Sequence, residues 1–396
     1  MPTSDSILDD VRVLDVSEAV AGPFCTKLLA GLGAEVIKVE KPGCGDMTRR
    51  VGPFAHDVPD PEQSALFLYL NTGKKSITLD IQSPTGASIL RRLAQTCDIL
   101  VESFSPATLD RLGLGYTDLE RFNPGLIFTS ITPFGQSGPY RDYKGSELIA
   151  QAIGAVMHTV GLPDREPLKI GGYAALYTTG MSAFSATMLA LYVRDAEGYG
   201  QHIDVSAMET MTMAQIHASI QHQFGRTPTR RDSTLVQAQD GWVHPGLERG
   251  VGEDTWNRVC ELIGQPGLVD DPRFRTREAR REHPHELLAI MSKWTATQPK
   301  EAIYHTFQAL RSVAGYVATV EDLFTSQQFL AREFFQTIDH PSIGETRYPG
   351  APFTIQGTTW CHARAPYLGE HNAEIYDDRL GYTPPDLAHL RGLGII

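Results

Sequence analysis

The sequence predicts an α/β protein: a mostly parallel sheet covered by helices on both faces, joined to a smaller, partly helical region. Two observations carry this. Over the first two hundred residues short apolar strand patterns alternate with helical ones, and such a βαβα order sets strands side by side and parallel. From about residue 225 the composition turns polar and basic, then gives way to a series of helical patterns.

The elements follow in order. Val11–Val16 reads as a short strand. Gly22–Leu32 reads as a helix with Pro23 in its first turn, where a missing N–H does no harm. Glu35–Val39 is a second strand. Ser83–Thr96 is a helix: Ser83 can cap it, Pro84 lies just inside, and Ile89, Leu90 and Leu93 share one face. Asp98–Val101 and Leu126–Thr129 are further strands. Ala174–Val193 carries no charge and is long enough to span a bilayer. Thr178, Thr179, Gly180, Ser182 and Ser185 dilute its hydrophobicity, which predicts a buried helix packed through small residues. Gln201–Val205 is a strand and Ala207–Ile220 a Met-rich helix. Arg226–Ser233 reads as a linker, and Asp240–Val243 as a turn entering a strand. Thr255–Ile263, Pro284–Thr295 and Lys300–Leu310 read as helices of a small domain over 225–335. The mixed charges of Arg273–Glu282 predict a solvated helix face. The tail, Pro349–Ile396, carries Pro366, Gly369, Pro384 and Pro385 among its turns.

The chain has 396 residues, 41% hydrophobic and 21% charged, ample for a large core. Its net charge of -12 and pI near 5.5 argue against nucleic acid as a partner. An anionic ligand would have to be met by a few local Lys and Arg residues. The five cysteines (Cys25, Cys44, Cys97, Cys260, Cys361) are odd in number and widely spaced, which predicts free thiols in a reducing compartment. Met1–Asp10 is polar and acidic, unlike a signal peptide. A soluble, cytoplasmic protein without a membrane span is expected.

Bottom-up, the chemistry stays open. Ser17–Gly22 follows the first strand and Glu40 ends the second, as in a dinucleotide site, but no Gly-x-Gly-x-x-Gly turn is present; Gly33 serves more naturally as a helix cap than Gly31 and Gly33 serve as a phosphate cradle. His202, His217 and His222 lack ligand spacing on a helix, His283 and His285 sit in a charged stretch, and no Cys-x-x-Cys pair occurs, so no metal is expected. Gly-x-Ser-x-Gly and Walker motifs are absent. These residues alone lead to an α/β protein with a small anionic ligand.

Motifs spread along the chain go further. Ala21-Gly-Pro23 precedes Leu32–Pro42 and Gly45-Asp46. Asn71–Asp80, Val101–Pro106 and Leu109–Gly113 follow, then Pro139-Tyr140, Gln151-Ala152, Gly198–Val205 and Pro366–His371. In this order they resemble the family III CoA-transferases (formyl-CoA and carnitine CoA-transferase-like). The resemblance implies a large Rossmann-like domain with a mostly parallel sheet, residues 1–224 completed by 336–396. It also implies a smaller α+β domain at 225–335 and an interlocked dimer. It implies CoA thioesters as substrates, a carboxylic acid as the acceptor, and no separate cofactor. Matched motif to motif, the CoA contacts fall at Val20, Ala21, Lys41, Leu79, Phe104, Arg111 and Lys144; Ser103 replaces an Asn, and Gln82 a Lys of some members. Read without the resemblance, Lys41 and Lys144 are surface charges, and Leu79 and Phe104 core residues.

The family's nucleophile is an aspartate that forms an acyl anhydride and then carries CoA as an aspartyl thioester. Its position matches Leu176, and no acid occurs between Glu166 and Asp195. Glu147 matches a position where relatives carry an acid and is expected to assist. The family's racemases pair a His and an Asp, which would fall at Ser146 and Leu176, so that chemistry is disfavoured. The pattern is similar to the heteromeric, benzylsuccinate-type members that use succinyl-CoA, whose two related subunits differ in this way. The expected protein is therefore a subunit whose homologous partner supplies the Asp, inactive alone. A homomeric acyl-CoA enzyme with another nucleophile, and a non-catalytic CoA-binding protein, stand as alternatives.

Overall fold

The computed structural model describes residues 6–226, 233–246 and 252–396. The linker expected at Arg226–Ser233 falls largely on residues 227–232, outside the described residues, as do residues 1–5 of the polar N-terminus. Two compact units emerge: Met1–Arg230 with Glu333–Ile396, and Arg231–Arg332.

The larger unit is built on six parallel strands: β1 (Arg12–Asp15), β2 (Glu35–Glu40), β3 (Lys75–Thr78), β4 (Ile99–Glu102), β5 (Ile127–Thr132) and β6 (His202–Ser206). Their spatial order is β3-β2-β1-β4-β5-β6, the doubly wound arrangement. Helices α1 (Ala21–Gly31), α2 (Ala65–Leu70), α3 (Pro84–Ala94), α4 (Thr108–Arg111), α5 (Tyr116–Leu119), α6 (Glu147–Ile153), α7 (Val156–Thr159), α8 (Ala174–Glu197), α9 (Ala207–Met213) and α10 (Ile216–Gln223) interleave with the strands.

Successive strand residues point to opposite faces, so each strand feeds two cores. Leu14, Ile37, Ile77 and Leu100 pack against Ile89, Leu90 and Leu93 of α3 and the C-terminal Ile375, Leu387 and Leu390. Their neighbours Val13, Val36, Ile99 and Val101 pack against Cys25 and Leu29 of α1 and Ala183, Ala190 and Leu191 of α8. By length and composition α8 could cross a membrane. In the fold it buries one stripe of mostly small residues, Ala175, Thr179, Ala183, Thr187 and Ala190. The opposite stripe, with Met181, Leu189 and Tyr192, is exposed. The expected packing through small residues is found, with burial confined to one side of the helix.

The free edge of β3 is closed by the end of the chain. The Ser76 N–H donates to His371 Nδ1 (3.2 Å), and the His371 N–H donates to Ser76 O (2.9 Å). The Thr78 N–H donates to Asn372 Oδ1 (2.8 Å), and Tyr376 O–H donates to Thr78 O (2.7 Å). An exposed ladder edge is thereby satisfied by side chains. The tail read as turns forms two helices, Asn372–Leu380 and Pro384–Gly392; Pro384 stands at the first helical position behind the Thr383 cap.

Ala207–Ile220 is two helices and not one. Thr210 and Thr212 hydroxyls donate to the carbonyls of Ser206 and Met208, and the Gln215 N–H closes a tighter turn on Thr212 O. Such back-bonding bends or ends helices. A polar hairpin, β10 (Phe335–His340) and β11 (Gly344–Pro349), also belongs to this unit.

The smaller unit holds β7 (Val236–Ala238), β8 (Gly241–His244) and β9 (Gly315–Tyr316) in an antiparallel sheet, with helices Glu253–Leu262, Pro284–Thr295 and Lys300–Ala309. Its core gathers Trp256, Phe274, Met291 and Phe307. Most of the charged stretch Arg273–Glu282 is exposed, as expected of a solvated face, with Arg280 as the charged exception. Arg280 is buried, stacked 4.8 Å from the Trp256 ring centre and donating to Phe274 O at 2.9 Å. A guanidinium keeps its charge in such a place because the ring face and a carbonyl replace water.

Candidate functional site

In a doubly wound sheet the strand order reverses between β1 and β4, and the crevice outside their carboxyl ends is the natural ligand site. A cavity of about 440 Å³ lies there. Its walls come from the β1–α1 loop (Glu18, Val20, Ala21), Ser103 after β4, Thr132 after β5, and Glu147 and Leu176.

A buried ionic network holds the β1–α1 loop. Asp15 accepts from the Ser17 hydroxyl (2.5 Å), the Thr26 hydroxyl (2.7 Å) and Lys74 Nζ (2.9 Å). Lys38 Nζ donates to Ser17 O and pairs with Asp46, both at 2.9 Å. Burial alone would push the Asp15 carboxyl up; Lys38, Lys74 and the two hydroxyls outweigh it and hold it well below the usual range. Burial also pushes the Lys74 ammonium down to about 8, against the pull of Asp15. A charged, fully bonded base of this kind fixes the loop above it. Ala19 in that loop has φ of 67°, the left-handed region that a non-glycine residue rarely occupies. The Glu18 N–H donates to Ser103 Oγ at 2.8 Å, tying the two crevice loops together. Burial, then the nearby Asp46, raises the Glu18 carboxyl above its ordinary value.

Leu176 occupies the first turn of α8. This helix has no side-chain N-cap and no acidic residue in its first turn. Glu147, buried at the start of α6, does the capping from outside: Oε1 accepts from the Ala175 N–H and Oε2 from the Leu176 N–H, both at 3.0 Å. Gln151 Nε2 adds a third donor at 2.5 Å. A carboxylate at a helix N-terminus satisfies free N–H groups and matches the dipole. Gly180, one turn further on, lets α8 approach α1: a Cβ there would lie 2.5 Å from Ala21 O.

The cavity therefore brings together four of the residues singled out from the sequence, Val20, Ala21, Glu147 and Leu176, with Ser103 and Ser146 beside them. The other five are not among its lining. Leu79 is buried in the sheet core, as its reading without the family resemblance has it. Phe104 is half-buried against the same core, its N–H donating to Glu102 Oε2 at 2.7 Å. Burial pushes the Glu102 carboxyl up to about 7, and it lines a second cavity of about 270 Å³ with Asp110 and His202. Lys41, Arg111 and Lys144 are exposed, as is Gln82; Arg111 donates to the Thr108 hydroxyl at 3.1 Å. Glu18 is the cavity residue that sequence reasoning passed over. Its place in the loop after the first strand was the available signal.

The CoA-transferase family III description matches residues 8–372. The chain belongs to this family. It is similar to a succinyl-CoA–D-citramalate CoA-transferase of Chloroflexus aurantiacus, 34% identical over 98% of both chains. A formyl-CoA:oxalate CoA-transferase of Streptomyces avermitilis is also 34% identical, over 98% of this chain and 99% of its own. A crystal structure of a CAIB/BAIF family protein from Brucella suis superposes with a TM-score of 0.86 at 31% identity, covering 95% of this chain and all of that one. As a family III CoA-transferase the chain works on CoA thioesters, moving acyl-CoA chemistry between acids.

Proposed function

We propose that this chain is the subunit of a heteromeric family III CoA-transferase that does not itself carry the nucleophile, working in the cytoplasm in an interlocked assembly with a related, aspartate-bearing subunit. The observation that carries this reading is Leu176. It lines the crevice at the start of α8, with Glu147 bonded to its backbone N–H, which supports reading this alkyl group as the replacement of the family's carboxylate. Leu176 cannot form an anhydride, and Glu147 is committed to three donors. Lys41, Arg111 and Lys144 would meet the phosphates of CoA, and Val20 and Ala21 its thioester end. Succinyl-CoA, which a similar protein uses by name, is one donor to try, beside monocarboxylic acyl-CoAs.

A second reading, the homomeric enzyme, draws on Glu18, whose carboxylate lines the same cavity. There a Glu18 oxygen would bond to the acyl carbon as the C–S bond breaks, giving a mixed anhydride and free CoA thiolate.

One experiment separates them. Purified alone, the chain is expected to transfer no CoA from succinyl-CoA, isovaleryl-CoA or benzoyl-CoA to carboxylic acids, and co-expression with an aspartate-bearing relative is expected to give transfer from at least one of them. Turnover by the chain alone, with a hydroxylamine-labile adduct on Glu18 in mass spectra, overturns the subunit reading.

A further inference from the structure

We infer that the acyl group received by the crevice cavity is apolar and uncharged at its far end, aromatic or branched-chain and not dicarboxylic. This rests on the CoA-thioester reading given above and names the class of acyl group within it.

The cavity, about 440 Å³, suits a small organic group. Much of its wall is hydrocarbon: Val20, Val51, Leu66, Ile131, Pro133 and Leu176. Among the described residues lining it there is no Lys, Arg or His. Its ionisable carboxyls are Glu18 and Glu147. Three of the six hydroxyls on the wall donate elsewhere. Thr48 donates to Asp46, Thr179 to Ala175 O, and Ser103 to Glu18 O, while Thr132 accepts from the Gly135 N–H.

The second carboxylate of a dicarboxylic acyl group would leave water here with no cation in the lining to pair with, and would face the Glu18 carboxyl, on which the nearby Lys38, Lys41 and Arg50 already act. A buried unpaired charge is strongly unfavourable, and the like-charge term adds to it. An apolar end group instead gains roughly 25 cal/mol for each Å² removed from water. The similar proteins named above handle succinyl, citramalate and oxalate, which bear a second carboxylate, and formyl, which does not. This cavity has the opposite chemistry.

The test is calorimetric titration of the full chain with CoA, isovaleryl-CoA, benzoyl-CoA and succinyl-CoA at neutral pH. Isovaleryl-CoA or benzoyl-CoA is expected to bind about tenfold or more tightly than succinyl-CoA, about 1.4 kcal/mol. Glu18→Gln is expected to narrow that gap by improving succinyl-CoA binding, and Leu66→Lys to narrow it further by supplying a cation. Equal or tighter binding of succinyl-CoA by the native chain overturns this inference and leaves the CoA reading standing. Binding of none of the four, CoA included, overturns both.

Discussion

Glu147 shows how a single side chain can be structural and central to a site at once. Its two carboxylate oxygens take two backbone N–H groups of α8 and the Gln151 amide. Replacing it with Gln leaves one oxygen and turns an NH₂ toward a donor. A hydrogen bond involving a charged group contributes about 1.5–3 kcal/mol, so Glu147→Gln is expected to lose stability on that scale. Urea unfolding of both proteins measures it; an unchanged midpoint would mean that the α8 N–H groups find other acceptors. Its motif position drew attention to it in the sequence as an acid expected to assist; what the structure adds is that it caps α8. That cap was not legible. A helix cap supplied from α6 to α8 is a contact across sequence that no local pattern encodes.

Among the elements, α1 and α8 decide the shape of the site. Gly180 sits at their crossing, where a methyl group would press to 2.5 Å from the Ala21 carbonyl oxygen. Alanine inside a helix gains about 1 kcal/mol over glycine from propensity. Overpacking at a tight contact costs about 1–3 kcal/mol, so the clash wins. Gly180→Ala is therefore expected to lower the melting temperature and weaken acyl-CoA binding together. A variant more stable than the native chain would show that the two helices are free to separate. Elements with a strong hydrophobic period were legible from their residues alone. Val11–Val16 contains β1, and Pro284–Thr295 is a helix with those bounds. β3 escaped because Lys75, Ser76 and Thr78 surround its single aliphatic residue, Ile77. β10 and β11 escaped for the same reason: residues such as Gln336, Asp339 and Arg347 blur the alternation. Arg280 misled because charge in sequence says nothing of the ring it stacks on.

For the whole molecule, the telling feature is what the larger unit leaves uncovered. Leu189 and Tyr192 of α8 are 69% and 75% exposed, and Met213 and Phe224 near α9 and α10 are 69% and 79% exposed. Large exposed apolar residues point to an interaction surface. In the subunit reading proposed above, this surface would take the related subunit, and a copy of this chain in its absence. Sedimentation at micromolar concentration is expected to find an oligomer, and Leu189→Glu with Tyr192→Glu is expected to shift it toward monomer. A native chain that sediments as a monomer would remove this surface from consideration. The parallel sheet and its helices were legible from the order of patterns; this face was not, since the small residues that face α1 and the large ones that face outward share one uninterrupted apolar stretch.

The closure of β3 by the chain's last helices sets a clock on biosynthesis. Thr78 and its partner Asn372 are separated by 294 residues. At ribosomal speeds of about 5–20 residues per second, roughly 15 to 60 seconds pass between the emergence of the strand and of its cover. During that interval the nascent chain carries an open strand edge, with the inserted smaller unit still being made. The larger unit is therefore completed only after the inserted smaller unit has been made, and until then its open strand edge is free to pair with that of a neighbour on the same polysome.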